Sequence, residues 1–250
     1  MVGELVGSVA ALWRFPVKSM MGERLDAAEV TNQGIVGDRA YALIETATGR
    51  PASAKTFPEL FGCRAALVEP PQQGGAIPPV RISLPDGVSV RSDSADASRI
   101  LSDHFGRDVV LSQATTDPYF DAYPITVLTT STLNGLNEAR PESRFDARRF
   151  RMNLILDTDQ PGFIENDWPG KELRLGDEIR LTVVKSDSRC VMTTLAQDDL
   201  PHDPEILRTL VRHNRILHGD GLYPCAGVYA VVDSAGMIRI GDHATLKGAI

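Results

Sequence analysis

The residue in this sequence best suited to redox or metal chemistry is Cys190, within the stretch KSDSRCVMTTLAQ (185–197). Arg189 precedes it, and a neighbouring cation favours the thiolate, the form of cysteine that attacks electrophiles and binds metals. An inert cysteine at the end of a half-buried strand would fit the local sequence equally well. The rest of the chain has to distinguish a reactive thiol from a structural one.

Three further short stretches place polar groups where strands are expected to end. FPVKSMMGE carries Lys18 and Ser19 after a proline, and GIVGDRAYALI carries Arg39 after two glycines that permit a tight turn. RRFRMNLIL carries Arg151 and Asn153 two residues apart, a spacing that predicts both side chains on one face of a strand.

Each stretch also has a purely structural interpretation. A lone lysine such as Lys18 is commonly solvated, and Arg39 could belong to a surface ion pair with the preceding aspartate, which would contribute little. The arginines of RRFR could form a surface run. Asn153 is harder to explain in this way, because it lies between apolar residues and a half-buried amide needs hydrogen-bond partners.

Taken together, the four stretches supply cations, an amide, hydroxyls and one thiol. Arginine and lysine bind phosphate, amides and hydroxyls bind a heterocycle, and a thiolate binds a thiophilic metal. The chain has a net charge of −7, so a cluster of cations needs a local reason. The combination suits an anionic ligand that carries a phosphate and a metal.

The composition is ordinary for a globular protein with a sizeable core: 250 residues, 42% hydrophobic and 24% charged. The negative charge argues against nucleic-acid partners and anionic membrane surfaces. No apolar run approaches the ~20 residues that span a bilayer. The stretch LVGSVAALW lacks a preceding basic region, so it predicts a strand and not a signal peptide. We therefore expect a cytoplasmic protein with no membrane and no nucleic-acid partner.

The cysteines and histidines argue against several kinds of metal site. Cys63, Cys190 and Cys225 lie far apart with no CxxC, which excludes a zinc knuckle, a thioredoxin motif and a four-cysteine iron–sulfur cluster. The five histidines show no HxxxH spacing, so a zinc hydrolase is not indicated. Free thiols fit a reducing compartment.

Short β-rich runs dominate the chain and predict a mainly β (α+β) fold, a closed or nearly closed barrel with a few peripheral helices. The predicted strands are SVAALWRF, RAYALIET, VRISL, ITVLT, NLILD, EIRLTVVK and VYAVVD. Two similar stretches, LRLGDEIRL (173–181) and IRIGDHATL (238–246), each predict a strand–turn–strand with one buried face.

Three helices are predicted, each from its capping residues and apolar spacing. The first covers 94–105 with Ser94 as N-cap, and the second covers 131–140 with Ser131 as N-cap. The third covers 203–215, with Asp203 as cap and Pro204 at the first helical position.

The motifs quoted above occur in the order and with the wording of the MOSC family, and the chain resembles the branch that contains the mitochondrial amidoxime-reducing component and its bacterial relatives. LWRFPVKSMMGERLDAAEVTNQGIVGDRAYAL resembles the N-terminal β-barrel region of that branch, and RFRMNLIL, SRCVMTT and GVYAVVDSAGMIRIGD resemble the MOSC domain proper. The resemblance implies a MOSC N-terminal β-barrel-like region over 1–120 and a MOSC domain over 121–250, intimately packed or forming one structural unit.

The resemblance also implies roles for individual residues. Cys190 would be the molybdenum ligand and the catalytic residue. The molybdenum–molybdopterin cofactor would be held by Lys18, Ser19, Arg39, Thr130, Ser131, Arg151, Asn153, Ser188, Arg189 and Tyr229. A helix N-terminus at Thr130 and Ser131 would suit an anion.

The sequence departs from the family pattern at two places. Met152 stands where family members usually have proline, and PCAGVY, with Cys225 and Ala226, replaces the usual Phe-Gly before the tyrosine. The first departure keeps Arg151 and Asn153 on either side of Met152. The second changes residues near the region that the family uses for cofactor and substrate, so the sequence does not define the shape of that pocket.

The implied activity is that of a molybdenum-dependent oxidoreductase that reduces small N-hydroxylated compounds, such as amidoximes and hydroxylamines. Its electrons would come from an external ferredoxin, flavoprotein or cytochrome b5-like donor. Two alternatives remain open: a non-catalytic carrier that delivers the cofactor or activated sulfur through Cys190, and a β-barrel interaction module whose cysteine is structural. The content of cofactor in the purified protein, together with a benzamidoxime reduction assay, separates the enzyme from the carrier, and retention of a pterin and metal would rule against the interaction module.

Overall fold

The computed structural model describes residues 3–72, 74–218 and 221–248. Strands dominate, and helices are few and short, which confirms the predicted mainly β fold. All seven predicted strand runs are strands in the structure.

Within the described residues the strands are β1 (Glu4–Arg14), β2 (Glu23–Leu25), β3 (Ala27–Thr31), β4 (Gly34–Ile35), β5 (Tyr41–Glu45), β6 (Arg50–Pro51), β7 (Arg64–Leu67), β8 (Val80–Ser83), β9 (Ser89–Arg91), β10 (Val109–Gln113), β11 (Ile125–Thr129), β12 (Leu154–Asp157), β13 (Glu172–Leu175), β14 (Ile179–Ser188), β15 (Arg215–His218), β16 (Gly221–Ser234), β17 (Gly236–Arg239) and β18 (His243–Lys247). The α-helices are α1 (Ala97–Phe105), α2 (Thr130–Ala139) and α3 (Glu205–His213). Short 3-10 helices cover Pro58–Gly62, Ala147–Phe150, Ile164–Asp167 and Val191–Thr194.

The chain forms two compact units. The barrel unit comprises Met1–Trp13, Leu25–Ile35 and Ala122–Ile250, and the N-terminal unit comprises Arg14–Arg24 and Val36–Asp121. Two early segments of the chain thus belong to the barrel unit, whereas the division drawn from sequence is contiguous. The assignment of domains to 1–120 and 121–250 stays a prediction.

The barrel unit is built on a ring of seven strands that closes on itself. The order is β11–β12–β1–β18–β13–β14–β16, and β16 pairs back onto β11. The β11–β12 pair is parallel and the other pairs in the ring are antiparallel. Closure removes the unpaired edges that an open sheet would expose.

Alternating apolar residues fill the interior of this ring. Leu181 and Val183 of β14 and Val228 and Ala230 of β16 belong to one buried cluster, whereas Tyr229, between the last two, is only partly buried. The period of two sends successive side chains to opposite faces. The outer face of the barrel is therefore the one that can present polar groups.

Gly227 is required where β16 approaches β11. Its φ is +81°, and a Cβ at this position would lie 2.5 Å from the carbonyl oxygen of Val127 and would also collide with Met152. Only glycine accepts this backbone conformation together with so close an approach. The glycine of PCAGVY therefore sets the path of the strand that carries Tyr229.

The N-terminal unit contains two three-stranded antiparallel sheets, β10–β5–β6 and β7–β8–β9. The segment between Arg14 and Arg24 bridges to both, through Val17 beside Tyr41 and Met21 beside Arg64. One buried apolar cluster, which includes Leu101 of α1, fills this unit.

The expectation that Arg151 and Asn153 share one face of a strand is wrong. Arg151 follows the 3-10 helix Ala147–Phe150 in a left-handed conformation with φ +54°, and β12 begins only at Leu154. The apolar run that follows does form the strand, but the polar pair precedes it in a turn.

Of the two predicted strand–turn–strand repeats, only the first is a hairpin. β13 and β14 pair with each other, whereas β17 pairs with β3 and β18 pairs with β1 and β13. Ile240, expected on the buried face, is 39% exposed. The Gly-Asp turn is common to both stretches, but the strand partners are set by segments far away in sequence.

The predicted helices exist, but their N-caps differ by one to two residues. α1 begins at Ala97 after Asp96, not after Ser94. α2 begins at Thr130, and its N-cap is Thr129, whose hydroxyl accepts from the backbone N–H of Thr132.

The third helix begins at Glu205, one residue later than expected. Its N-cap is Pro204, while Asp203 accepts a hydrogen bond from the backbone N–H of Glu205 at 2.9 Å. Among the described residues, no helix combines the length and the apolar character that a membrane span requires.

Candidate functional site

Cys190 lies two residues after the end of β14 and is the N-cap residue of the 3-10 helix Val191–Thr194. Its carbonyl accepts hydrogen bonds from the backbone N–H and the hydroxyl of Thr193, at 3.1 and 3.0 Å. Of the three cysteines it is the one that is partly exposed. The neighbouring Ser188 is exposed as well, at the end of β14.

The other two cysteines are buried and protonated. Burial raises the pKa of the Cys63 thiol to about 11, with a smaller contribution from Asp86. Burial, reinforced by the charge of Asp187, raises the pKa of Cys225 to about 11. The Cys225 thiol donates to the carbonyl of Tyr223 at 3.3 Å, so this departure from the family pattern places an inert thiol in the strand.

Arg189 is held tightly beside Cys190. Its guanidinium donates to the carboxylate of Asp187 and to the backbone carbonyl of Phe150, and its backbone N–H donates to the carbonyl of Pro224 at 2.7 Å. Because Phe150 precedes Arg151, this side chain brings the Cys190 turn and the Arg151 turn together. Arg151 is 9% exposed, so with Arg149 it overturns the interpretation of RRFR as a surface run.

Asn153 is buried and has the partners that its position demanded. Its carboxamide oxygen accepts from the hydroxyl and the backbone N–H of Thr126, at 2.9 and 3.2 Å. Its amide group donates to the carbonyl of Trp13 at 3.3 Å. Thr126 lies opposite Tyr229 in the β11–β16 pair, so Asn153 and Tyr229 belong to one row across the outer face of the barrel.

Lys185 extends this row and was missed by the sequence reasoning. It lies opposite Tyr229 in the β14–β16 pair, and its ammonium group is 5.9 Å from the Tyr229 ring and 5.5 Å from the Tyr123 ring. The two rings are 5.6 Å apart. Among the described residues Lys185 forms no ion pair. Its position in KSDSRC, five residues before Cys190, was the available signal.

Thr130 and Ser131 form a second polar group at the N-terminus of α2. The Thr130 hydroxyl donates to the carboxylate of Asp157 at 3.0 Å, and Ser131 shares a hydrogen bond with the Thr158 hydroxyl at 2.7 Å. Ser131 also donates to the carbonyl of Gln160. These hydroxyls are therefore engaged with protein partners, and one of the partners is itself an anion.

In the N-terminal unit the structure brings Lys18 and Arg39 to the same residue, Tyr119. The Lys18 ammonium donates to the carbonyl of Tyr119 at 3.0 Å and pairs with Asp121 at 2.5 Å. The backbone N–H of Tyr119 donates to the carbonyl of Arg39 at 2.8 Å. Lys18 is thus not simply a solvated lysine.

Arg39 pairs with a buried carboxylate, which overturns the surface-pair interpretation. Asp38 is 1% exposed, pairs with the Arg39 guanidinium at 2.5 Å and accepts from the backbone N–H of Phe15 at 2.7 Å. Arg39 also lies over the Phe15 ring at 4.7 Å. Ser19, with φ +65°, is buried and accepts from the backbone N–H of Ala54 at 3.1 Å.

The pKa of Asp121 reflects a local excess of positive charge. Desolvation alone would raise the pKa of its carboxyl, but Lys18, Arg39 and Lys55 outweigh that effect and hold the pKa below its usual value. Lys55, which sequence reasoning did not single out, is an exposed member of this group. The N-terminal unit therefore carries a small cationic cluster in an otherwise acidic chain.

Family models and related proteins match most of the chain. The family model of the MOSC N-terminal beta barrel domain matches residues 6–106, and that of the MOSC domain matches residues 102–245. Mitochondrial amidoxime-reducing component 1 of Mus musculus is 28% identical over 97% of this chain and 83% of its own length. Mitochondrial amidoxime reducing component 2 of Bos taurus is 24% identical over 95% of this chain and 82% of its own length.

A crystal structure shows the same fold. The YUAD protein from Bacillus subtilis aligns with a TM-score of 0.52 and 14% identity, covering 96% of this chain and 95% of that one. At this identity the likeness concerns the fold.

Proposed function

Because the chain belongs to the MOSC family, we propose that it is an oxidoreductase that binds a molybdenum cofactor and reduces N-hydroxylated compounds such as amidoximes and hydroxylamines. The amidoxime-reducing relatives align with nearly the whole chain, which supports an oxidoreductase of this type. Reductive cleavage of an N–O bond consumes two electrons and two protons and releases water. The electrons would come from an external protein donor.

The observation that carries this proposal is the placement of Cys190. It lies at a strand end, partly exposed, whereas burial keeps the Cys63 and Cys225 thiols protonated. A soft thiolate is a suitable ligand for a thiophilic metal. Cys190 is therefore the residue that would hold the metal.

A further polar atom beside Cys190 fits a bound group with hydrogen-bonding capacity. Within the described part of the chain, the buried Nε of Arg189 has no hydrogen-bond partner. Buried polar atoms without partners are unfavourable. A molybdenum–molybdopterin cofactor, when bound, would supply the two-electron redox chemistry and an anionic phosphate.

The remaining roles are proposed for this chain's own side chains. Lys18, Arg39 and Arg151 would bind the anionic part of the cofactor through charge-assisted hydrogen bonds. Tyr229 would supply an aromatic face, and the polar contacts would come from Ser19, Thr130, Ser131, Asn153, Ser188 and Arg189. Asn153 commits its carbonyl oxygen to Thr126 and one amide hydrogen to Trp13, so its second amide hydrogen is the part left for a ligand.

The test is to produce the protein in a host that synthesises the cofactor, and to measure molybdenum, pterin and the reduction of benzamidoxime by reduced viologen. We expect all three to be positive. Full molybdenum loading without reduction by any donor would favour a cofactor or sulfur carrier. Absence of both metal and pterin would contradict the proposal. A cytoplasmic location remains a prediction.

A further inference from the structure

Arg149 is a charged residue sealed inside the barrel unit. It is 1% exposed, and its burial lowers the pKa of the guanidinium although the carboxylates of Asp203 and Asp146 oppose that shift. Burying a guanidinium is costly unless its donors are satisfied. A feature of this cost needs a structural reason, and no local pattern of residues indicated it.

Each of the three guanidinium nitrogens of Arg149 donates to a backbone carbonyl. Its Nε donates to Arg144 at 2.9 Å, one terminal nitrogen donates to Thr193 at 3.3 Å and Leu195 at 3.4 Å, and the other donates to Pro201 at 2.9 Å. Three of these acceptors belong to the segment that follows Cys190. Arg149 thus ties the 3-10 helix before Arg151 to the turn that begins at Cys190.

A second bond ties the same two segments from the opposite side of Cys190. Arg189 donates to the carbonyl of Phe150, the residue immediately after Arg149. The residue before Cys190 and the residues three and five positions after it are therefore all anchored to positions 149 and 150. Among the described residues the Cys190 side chain has no such anchor, so these bonds and those that its carbonyl accepts from Thr193 help to fix its position.

We propose that Arg149 is a positioning residue that fixes the Cys190 turn relative to Arg151. The positioning of the turn does not depend on the proposed function. Only the expected loss of metal rests on the proposed role of Cys190 as metal ligand. A ligand must be held close to its productive geometry by surrounding contacts. Without the four carbonyl bonds, the turn from 190 to 195 would sample other conformations, and Cys190 would lose its fixed position.

The experiment compares Arg149→Met and Arg149→Lys with Arg148→Met. Arg148 is the adjacent arginine, and its side chain pairs only with the carboxylates of Asp146, Asp198 and Asp199 among the described residues. Lysine keeps the charge and most of the apolar stem, but one ammonium group cannot donate to four separated carbonyls. If the methionine variant does not fold, the lysine variant decides.

Three readouts separate positioning from general stability. The first is hydrogen exchange of the Thr193 and Leu195 amides, which are bonded to the carbonyls of Cys190 and Met192 at 3.1 and 3.3 Å. The second is the alkylation rate of Cys190 by iodoacetamide in cofactor-free protein. The third is molybdenum per folded protein.

For the Arg149 variants we expect the two amides to exchange at least tenfold faster, while the amides of β14 and β16 keep their rates. Cys190 should be alkylated at least threefold faster, and molybdenum content should fall at least threefold. Arg148→Met should match the wild type in all three. Unchanged alkylation and unchanged molybdenum would overturn the proposal, as would faster exchange throughout the barrel. If the wild type carries no molybdenum, the proposed function fails, but exchange and alkylation still decide this inference.

Discussion

At the scale of single residues, the three cysteines differ in what they can do. Cys190 is partly exposed at the start of a turn, whereas Cys63 and Cys225 are buried with a pKa of about 11. A thiol with a pKa of about 11 is almost entirely protonated at neutral pH, and the thiolate is the form that binds metal. Of the three cysteines, Cys190 should therefore be the one that can bind a metal.

We expect Cys190→Ala to abolish bound molybdenum and activity, while Cys63→Ala and Cys225→Ala retain the metal. The measurement is molybdenum per folded protein, with the folded fraction taken from circular dichroism, because truncation at a buried site also costs stability. Loss of metal in Cys225→Ala together with retention in Cys190→Ala would show that the ligand is misassigned.

We expect Arg39→Gln to purify depleted in pterin. A charge-assisted contact contributes roughly 1.5–3 kcal/mol, so its loss should weaken cofactor retention by about tenfold or more. Arg39→Lys keeps a positive charge beside the buried Asp38 and tests whether charge alone suffices. The matched control is Arg91→Gln, since Arg91 is half exposed and paired with Asp93. Full pterin occupancy with a raised KM would instead place Arg39 at the substrate.

At the scale of secondary-structure elements, one buried carboxyl links a 3-10 helix to the junction of β11 and α2. Glu165, in the 3-10 helix Ile164–Asp167, is 1% exposed and accepts from the hydroxyls of Thr129 and Thr132, at 2.8 and 2.6 Å. Both threonines lie at the junction of β11 and α2. Burial raises the pKa of Glu165, and the hydrogen bonds oppose that shift only in part.

We expect Glu165 to make the protein less stable as pH rises. In the folded state the carboxyl keeps its proton to a higher pH than in the unfolded state. Its contribution is therefore fully present below the unfolded-state pKa and is lost as pH rises through the folded-state pKa. Each unit of difference corresponds to about 1.4 kcal/mol.

Urea unfolding of Glu165→Gln between pH 4.5 and 8 measures this effect. The free energy of unfolding of the variant should depend less on pH than that of the wild type, whereas the exposed Glu142→Gln should leave the dependence unchanged. Parallel curves for wild type and Glu165→Gln would mean that this carboxyl titrates alike in both states.

At the scale of the whole molecule, the proposed reduction requires a source of electrons. The 250 residues contain no GxGxxG motif and three separated cysteines, so the sequence offers neither a nicotinamide-binding unit nor a cysteine-ligated cluster. Redox partners generally meet through small, polar interfaces.

We expect the purified protein to reduce benzamidoxime with reduced viologen but not with NADH alone. Addition of a ferredoxin, flavoprotein or cytochrome b5 system should restore the reaction with NADH, and NADH oxidation followed at 340 nm provides the measurement. Turnover with NADH and no second protein would reveal a cofactor site that the sequence does not betray.

Local sequence patterns predicted the strands correctly and carried the likeness to the MOSC family, and they singled out Cys190 as the candidate ligand. Alternation of apolar residues and Gly-Asp turns act over a few neighbouring residues, so they survive as local signals. The need of Asn153 for partners was also a local inference, since an amide between apolar residues has to be buried with them.

The partners of the buried polar residues, in contrast, follow from the tertiary structure. The partners of Arg149 lie up to 52 residues away in sequence, and Lys185 meets Tyr123 and Tyr229 only through strand pairing and the approach of a loop. Tertiary contacts also account for the left-handed turn at Arg151. They likewise account for the pairing of β17 and β18 with different strands. Contacts between distant segments depend on how the ring of strands closes, and a local pattern carries no information about that closure.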